Sequence, residues 1–213
     1  MTIAVKICGI TTAGALDAAL EGGATHIGLV FVPPSPRYIA PDDAVALAAR
    51  IAGRAKIVGL FVNPADAVLR QVLAKVPLDI IQLHGEEAPA RASDIKSQTG
   101  LPIWKAVPVR KRIDLAVAEQ YLSIAERILY DAKAPPGAAL PGGNGMRFDW
   151  EVLRGHRHSM PWILSGGLDA GNIAEAVRVT GAIMLDVSSG VETAPGVKDV
   201  DKIKAFLHTA AHI

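Results

Sequence analysis

The sequence predicts an α/β protein in which eight parallel strands, each followed by a helix, close into a single (βα)8 barrel. Eight short β-branched runs alternate with eight amphipathic stretches along the whole chain, the pattern of repeated βα units around a parallel sheet. Eight such units in 213 residues leave no insertion for a second domain, so one catalytic domain spanning residues 1–213 is expected. Most strand runs lead into polar or glycine-rich loops, the segments that carry chemistry on a barrel of this kind. A doubly wound open sheet would share the alternation; eight complete units favour closure.

The first unit joins IAVKICG, from Ile3, to AGALDAALEGG, and the second joins HIGLVFV, from His26, to PDDAVALAARIAG. In the third, KIVGLFV from Lys56 precedes PADAVLRQVLAKV; in the fourth, LDIIQLHG from Leu78 precedes APARASDIKSQTG. PIWKAVPV from Pro102 leads to IDLAVAEQYLSIA, and RILYDA from Arg127 leads, after a long loop, to DWEVLRGHR. PWILSGG from Pro161 with NIAEAVRVTG, and AIMLDVSSG from Ala182 with VDKIKAFLHTA, complete the set. Each second member has apolar positions three and four apart, as Ile203, Phe206 and Leu207 illustrate in the last. Several begin at Asp, Asn or Pro and several stop at Gly, as helix ends prefer.

Composition narrows the function. Half the residues are apolar and a fifth are charged, enough to bury a core, and 22 basic against 21 acidic residues give a net charge of +1. The largest basic cluster, Arg110 to Arg112, reads as a solvated loop, so neither nucleic acid nor membrane is expected as a partner. A single cysteine cannot form an internal disulfide or a thiol-based metal set. With no signal pattern at the N-terminus and no apolar run of ~20 residues, a cytoplasmic protein is expected.

On a barrel, the residues at the C-terminal strand ends are read together. Here they are Cys8 with Gly9, the FVPPSPR stretch ending at Arg37, Asn63, Gln82 with His84, Asp131 with GGNG downstream, SGG from Ser165, and DVSSGVE from Asp186. Gly166 and Gly167 in the seventh loop, with Ser188, Ser189 and Gly190 in the eighth, suit a phosphate, because glycine lets main-chain amides approach an anion closely. Arg37 follows stiffening prolines and offers a guanidinium fork for a carboxylate. Asp131 follows three apolar residues, where desolvation favours a protonated carboxyl able to act as a general acid; a helix cap or a partner for Lys6 or Lys133 is the alternative.

Cys8 is a small buried hydrophobe by default, but Lys6, two residues earlier, shares its strand face and supplies a cation that would favour the thiolate. Opposed to Asp131, the thiol reads as one half of an acid/base pair. His84 is open to three readings, as a core imidazole, a metal ligand or a substrate contact, and no neighbouring ligand cluster supports the metal. His156 and His158 are expected at the surface. No metal or other cofactor is expected.

KICGIT, GLVFVPPSPRYI, IQLHGEE, the Asp131 of LYDAK followed by PGGNGMRFDW, SGGL and DVSSGVETAPGVKD resemble, in order and across nearly the whole chain, the signature blocks of the phosphoribosylanthranilate isomerase family of tryptophan biosynthesis. The resemblance implies a barrel of the ribulose-phosphate-binding type and an Amadori rearrangement of N-(5-phosphoribosyl)anthranilate to 1-(2-carboxyphenylamino)-1-deoxyribulose 5-phosphate. It implies Cys8 as general base, Asp131 as general acid and Arg37 as the holder of the anthranilate carboxylate. Lys6, His84 and Asp186 are expected as further substrate contacts, and the protein as a monomer or homodimer acting on a small phosphorylated substrate. Two positions depart from the family's usual blocks: Asn144 stands where threonine is common, and Ala170 where proline is frequent.

Other phosphate-binding barrels are the nearest rivals: a sugar-phosphate epimerase, a tryptophan synthase α-like lyase or the ProFAR-type isomerase. The last resembles this chain in reaction but pairs two aspartates, against which Cys8 argues; the epimerases need a metal cluster that the sequence does not supply. A non-catalytic barrel that binds a phosphorylated ligand for regulation would need only the glycine loops, not Cys8 and Asp131.

Overall fold

A computed structural model describes residues 3–133 and 147–213. Eight parallel strands stand in chain order and close on themselves: β1 (Ala4–Cys8), β2 (His26–Val30), β3 (Lys56–Phe61), β4 (Ile80–Leu83), β5 (Ile103–Val109), β6 (Arg127–Ala132), β7 (Trp162–Leu164) and β8 (Met184–Val187). Every expected strand run is found, and the outcome is the closed barrel. Closure is made by β8 pairing back onto β1, with Lys6 opposite Asp186 and Val5 opposite Leu185.

Period-two alternation sorts each strand into two cores, since parallel strands are covered on both faces. Val58, Ile80, Trp104, Ala106, Leu129, Ile163 and Met184 form a small cluster of their own inside the cylinder. Their chain neighbours, such as Ile57, Ile81, Ile103 and Ile128, join the large layer between strands and helices. Toward the C-terminal strand ends the inner column changes from apolar to polar, at Lys6, Gln82, Asp131, Ser165 and Asp186.

The outer layer contains α1 (Ala13–Glu21), α2 (Pro41–Ile51), α3 (Asp66–Leu73), α4 (Pro89–Thr99), α5 (Ile173–Thr180) and α6 (Val200–Ala211). The Thr12 hydroxyl and the Asp199 carboxylate cap α1 and α6, α2 and α4 begin on proline, and Gly100 and Gly181 end α4 and α5 in the left-handed region.

Two expected helices take another form. The stretch after β5 winds as 3₁₀ turns over Arg112–Tyr121, and that before β7 as a single 3₁₀ turn over Trp150–Leu153. The first buries Leu115, Ala118 and Tyr121, a strict spacing of three that fits 3.0 residues per turn, while Ile113 faces solvent. A short antiparallel hairpin, β9 (Glu192–Ala194) with β10 (Val197–Lys198), follows β8 and was not expected; its strands are too short to show a period.

His156 and His158, expected at the surface, are half-buried. The His158 ring stacks on Trp162 at 4.3 Å, and both its nitrogens are enclosed without a hydrogen-bond partner among the described residues. Burial, with His156 adding, pushes its pKa down to about 4, and burial with Lys6 and Arg127 does the same to His26, which packs against Trp104. Both rings are therefore neutral when folded and take up a proton on unfolding at mildly acidic pH. Their stabilisation is complete above the ordinary value of 6.5 and is lost as pH falls toward about 4. Urea titrations across that window should show a falling midpoint, and a shallower fall in a His26→Gln/His158→Gln double variant; identical slopes would remove both rings from the acid sensitivity.

Candidate active site

The polar rim is built upward from the barrel seam. Lys6 has no exposed surface, and its ammonium donates to Asp186 Oδ1 at 2.7 Å, the residue opposite it in the β1–β8 register. The Ser165 hydroxyl, just past β7, donates to the other oxygen of Asp186 at 3.4 Å. One strand further on, Asp131 Oδ1 accepts from the Ala132 amide at 2.9 Å, and Oδ2 lies 3.1 Å from His84 Nε2. His84 Nδ1 in turn lies 2.9 Å from the Gln82 amide. Asp131 thus has His84 as its partner, and neither Lys6 nor Lys133.

Cys8 ends β1 at the same rim, buried, with Gly28 of β2 beside it in the register. A Cβ at Gly28 would stand 2.9 Å from both Cys8 Sγ and Lys6 Cε, so the bare glycine makes room for both side chains. Burial pushes the Cys8 thiol above its ordinary pKa; Lys6 opposes this, the Asp186 charge adds to it, and Lys198 opposes it again. For Lys6, burial disfavours the charge, but Asp186 and Cys8 outweigh it and hold the ammonium above the usual lysine value. The cation beside the sulfur is therefore the one expected, and desolvation still wins: the thiol is the resting form at neutral pH.

Arg37 is buried against Glu192. Its Nε and Nη2 donate to the two carboxylate oxygens of Glu192, each at 2.8 Å, the parallel geometry the guanidinium fork favours. Glu192 also accepts from Lys198 Nζ at 2.6 Å, and burial of its carboxyl is outweighed by these two cations, which keep its pKa below the carboxylate range. Lys198 further donates to the Ser188 carbonyl and hydroxyl at 3.0 and 3.2 Å, and that hydroxyl donates to the Cys8 carbonyl at 3.1 Å. The hairpin is in this way stitched to the second, eighth and first loops.

The glycine loops meet. Gly166 and Gly167 have φ of +88° and +63°, in the left-handed region, and a Cβ on Gly190 would stand 1.8 Å from the Leu168 carbonyl, so the seventh and eighth loops touch backbone to backbone. Gly166, Gly167, Ser188, Ser189 and Gly190 are thereby gathered on one side of the rim. Gly142, Gly143, Asn144 and Gly145 lie outside the described residues. Asn63, another strand-end residue, serves the fourth loop: its side chain accepts from the Glu86 amide at 2.9 Å. Among the described residues no group of three or more His, Cys, Asp and Glu side chains could hold a metal, and no helix is long and apolar enough to cross a membrane.

Sequence reasoning gives no role to Gln82 or Glu192, which it reads only within strand-end stretches, and does not single out Gly28 or Lys198. Gln82 had one signal, an amide within an otherwise apolar strand run; Glu192 and Lys198 sit in a glycine-rich segment whose fold back onto Arg37 no local pattern shows.

A closed parallel barrel with a thiol, a carboxyl–imidazole pair and two glycine loops gathered at the C-terminal rim has the make-up of a barrel enzyme that works by acid–base chemistry. The sequence profile of N-(5'phosphoribosyl)anthranilate (PRA) isomerase matches residues 5–209. The chain belongs to that family. It is 53% identical over 210 residues to the N-(5'-phosphoribosyl)anthranilate isomerase of Paramagnetospirillum magneticum, covering 99% of this chain and 98% of the relative. The crystal structure of phosphoribosyl anthranilate isomerase from Thermotoga maritima superposes with a TM-score of 0.89 at 37% identity, over all of both chains. A second crystal structure, of the isomerase in complex with reduced 1-(o-carboxyphenylamino)-1-deoxyribulose 5-phosphate, superposes with a TM-score of 0.86 at 35% identity, again over both chains entirely.

Because the chain has one cysteine, alkylation by iodoacetamide reports on Cys8 alone. Its rate against pH should have a midpoint above the ~8.5 of a free thiol, and Lys6→Met should move that midpoint further up. A midpoint below ~8.5 in the unmodified protein, or one that Lys6→Met lowers, would contradict the charge balance described.

Proposed function

We propose that this chain converts N-(5-phosphoribosyl)anthranilate to 1-(2-carboxyphenylamino)-1-deoxyribulose 5-phosphate, the isomerisation its family performs in tryptophan biosynthesis, with Cys8 as general base and Asp131 as general acid. The observation that supports this most is the placement of the lone thiol and Asp131 at the C-terminal ends of β1 and β6, on one rim. Each has a separate proton-handling neighbour, Lys6 for the sulfur and His84 for the carboxyl. Two carboxylates sharing one site would lack that division of labour.

The chemistry requires both groups. As the furanose C1–O bond breaks to give a Schiff base, charge accumulates on the ring oxygen, and Asp131 delivers a proton there. The cationic nitrogen then acidifies C2′, and the Cys8 thiolate removes that proton, leaving an enolamine that tautomerises to the ketone. The iminium is itself the electron sink, so the steps need no redox cofactor or metal. Cys8 must first lose its own proton; Lys6, Lys198 and the positive charge on the substrate nitrogen all favour this against the cost of burial.

In this reading the anthranilate carboxylate lies at Arg37, whose guanidinium plane Glu192 fixes, and the phosphate lies at the amides of the Gly166–Gly167 and Ser188–Gly190 loops. Lys6 and Asp186 act from below the substrate, setting the charge around Cys8, since Lys6 is wholly enclosed. Residues 1–213 then form one catalytic domain, and a lone unpaired cysteine suits a cytoplasmic site of action.

Loss of anthranilate fluorescence on adding the substrate to purified protein tests the reading; an inert protein ends it. Cys8→Ala and Asp131→Asn should each lower kcat by ~10²–10⁴-fold, with KM changed by less than about tenfold, because both act mainly in the transition state. Near-normal kcat in either variant removes that residue from the chemistry. Arg37→Ala should raise KM by more than about tenfold, whereas an unchanged KM would place the carboxylate elsewhere.

A further inference from the structure

Gln82 is the third member of a buried chain that ends on the carboxyl of Asp131. It stands two residues before His84 on the inward face of β4, with no exposed surface. As placed, its Nε2 lies 2.9 Å from His84 Nδ1, and its Oε1 is enclosed with no hydrogen-bond partner among the described residues. A buried amide anchored at one end only can be turned over without breaking another hydrogen bond.

The two ways round correspond to two proton inventories. With the amide nitrogen donating to Nδ1, the ring proton is on Nε2 and is donated to Asp131 Oδ2, which is then a carboxylate with no proton to give. With the amide turned, its oxygen accepts from Nδ1–H, Nε2 presents a lone pair, and Oδ2 can donate a proton of its own across the same 3.1 Å contact. The second requires the amide turned from the placement described, bringing the orphaned Oε1 to Nδ1 and leaving the amide nitrogen enclosed in its stead, and only the second arms the acid.

We propose that Gln82 is a positioning residue for the general acid: its amide oxygen holds His84 as the Nδ1–H tautomer, so that Nε2 accepts from a protonated Asp131. This rests on the general-acid role of Asp131 given above. On substrate ring opening the Asp131 O–H bond breaks and an O–H bond forms on the ring oxygen, leaving a carboxylate. A proton from water reloads Asp131, while Cys8 releases to water the proton taken from C2′, so each turnover leaves the protein unchanged.

Two readouts test it on the purified full chain. Long-range ¹H–¹⁵N spectra of histidine-labelled protein at neutral pH report which ring nitrogen of His84 carries the proton, with the resonance assigned by its absence in His84→Gln. The expected result is Nδ1–H in the unaltered protein and an Nε2–H population in Gln82→Leu, whose kcat falls about 10- to 100-fold while KM stays within about threefold. A purely structural role would leave the tautomer alone. Finding Nε2–H in the unaltered protein overturns the proposal even if Gln82→Leu does not fold, and so does a folded Gln82→Leu with unchanged tautomer and kcat. A protein with the Nδ1–H tautomer that does not turn over the substrate supports the arrangement made by Gln82 and refutes the function it was to serve.

Discussion

The site depends on one ion pair that water does not reach. Lys6 and Asp186 face each other at 2.7 Å across the seam where the barrel closes, one from the first strand and one from the last. Removing two charges from water costs several kcal/mol per ion, and close pairing offsets that only when further hydrogen bonds satisfy the remaining atoms. Ser165 supplies one such bond to Asp186, and the Cys8 sulfur is the next group along from Lys6. A pair of this kind adds little net stability over an apolar one. What it adds is a fixed positive charge below a buried thiol: the shared face of β1 puts Lys6 beside Cys8, and barrel closure supplies the Asp186 that holds it charged.

From that seam the rim is a nearly continuous polar row. Lys6, Asp186 and Ser165 join β1, β8 and β7, and Asp131, His84 and Gln82 join β6 and β4. The hairpin β9–β10 clamps the loops beside that seam, where Glu192 holds Arg37 on one side and Lys198 on the other. The rigid parts are strands and buried ion pairs; the variable parts are loops, which is how one barrel supports many chemistries. Gly28 and Gly190 contribute by what they omit, since a Cβ at either would collide with its neighbours.

Much of this was legible in the sequence because it is local. Strand runs with period two, helix starts at Asp, Asn or Pro and helix stops at Gly are read within a few residues, and strand order follows from the repeat. Cys8, Asp131 and the two glycine loops were visible because they fall at strand ends. What was hidden joins residues far apart in the chain: Arg37 with Glu192, Lys6 with Asp186 and Asp131 with His84. No spacing rule announces such pairs. The 3₁₀ stretch over Arg112–Tyr121 was missed for another reason, because its buried residues at intervals of three also fit a helical stripe. For Cys8 the sequence offers both a buried hydrophobe and a neighbouring cation, and only the packed structure decides that desolvation outweighs Lys6.

The central claim is that the sulfur and the Asp131 carboxyl act on one sugar from two sides. A crystal structure of this chain with the reduced product analogue bound tests it most directly. The account places the analogue's C2 within ~3.5 Å of Cys8 Sγ and the oxygen derived from the furanose ring within hydrogen-bond reach of Asp131. An analogue bound with that carbon out of reach of the sulfur, or with its phosphate at Arg37 and its carboxylate at the glycine loops, would contradict it.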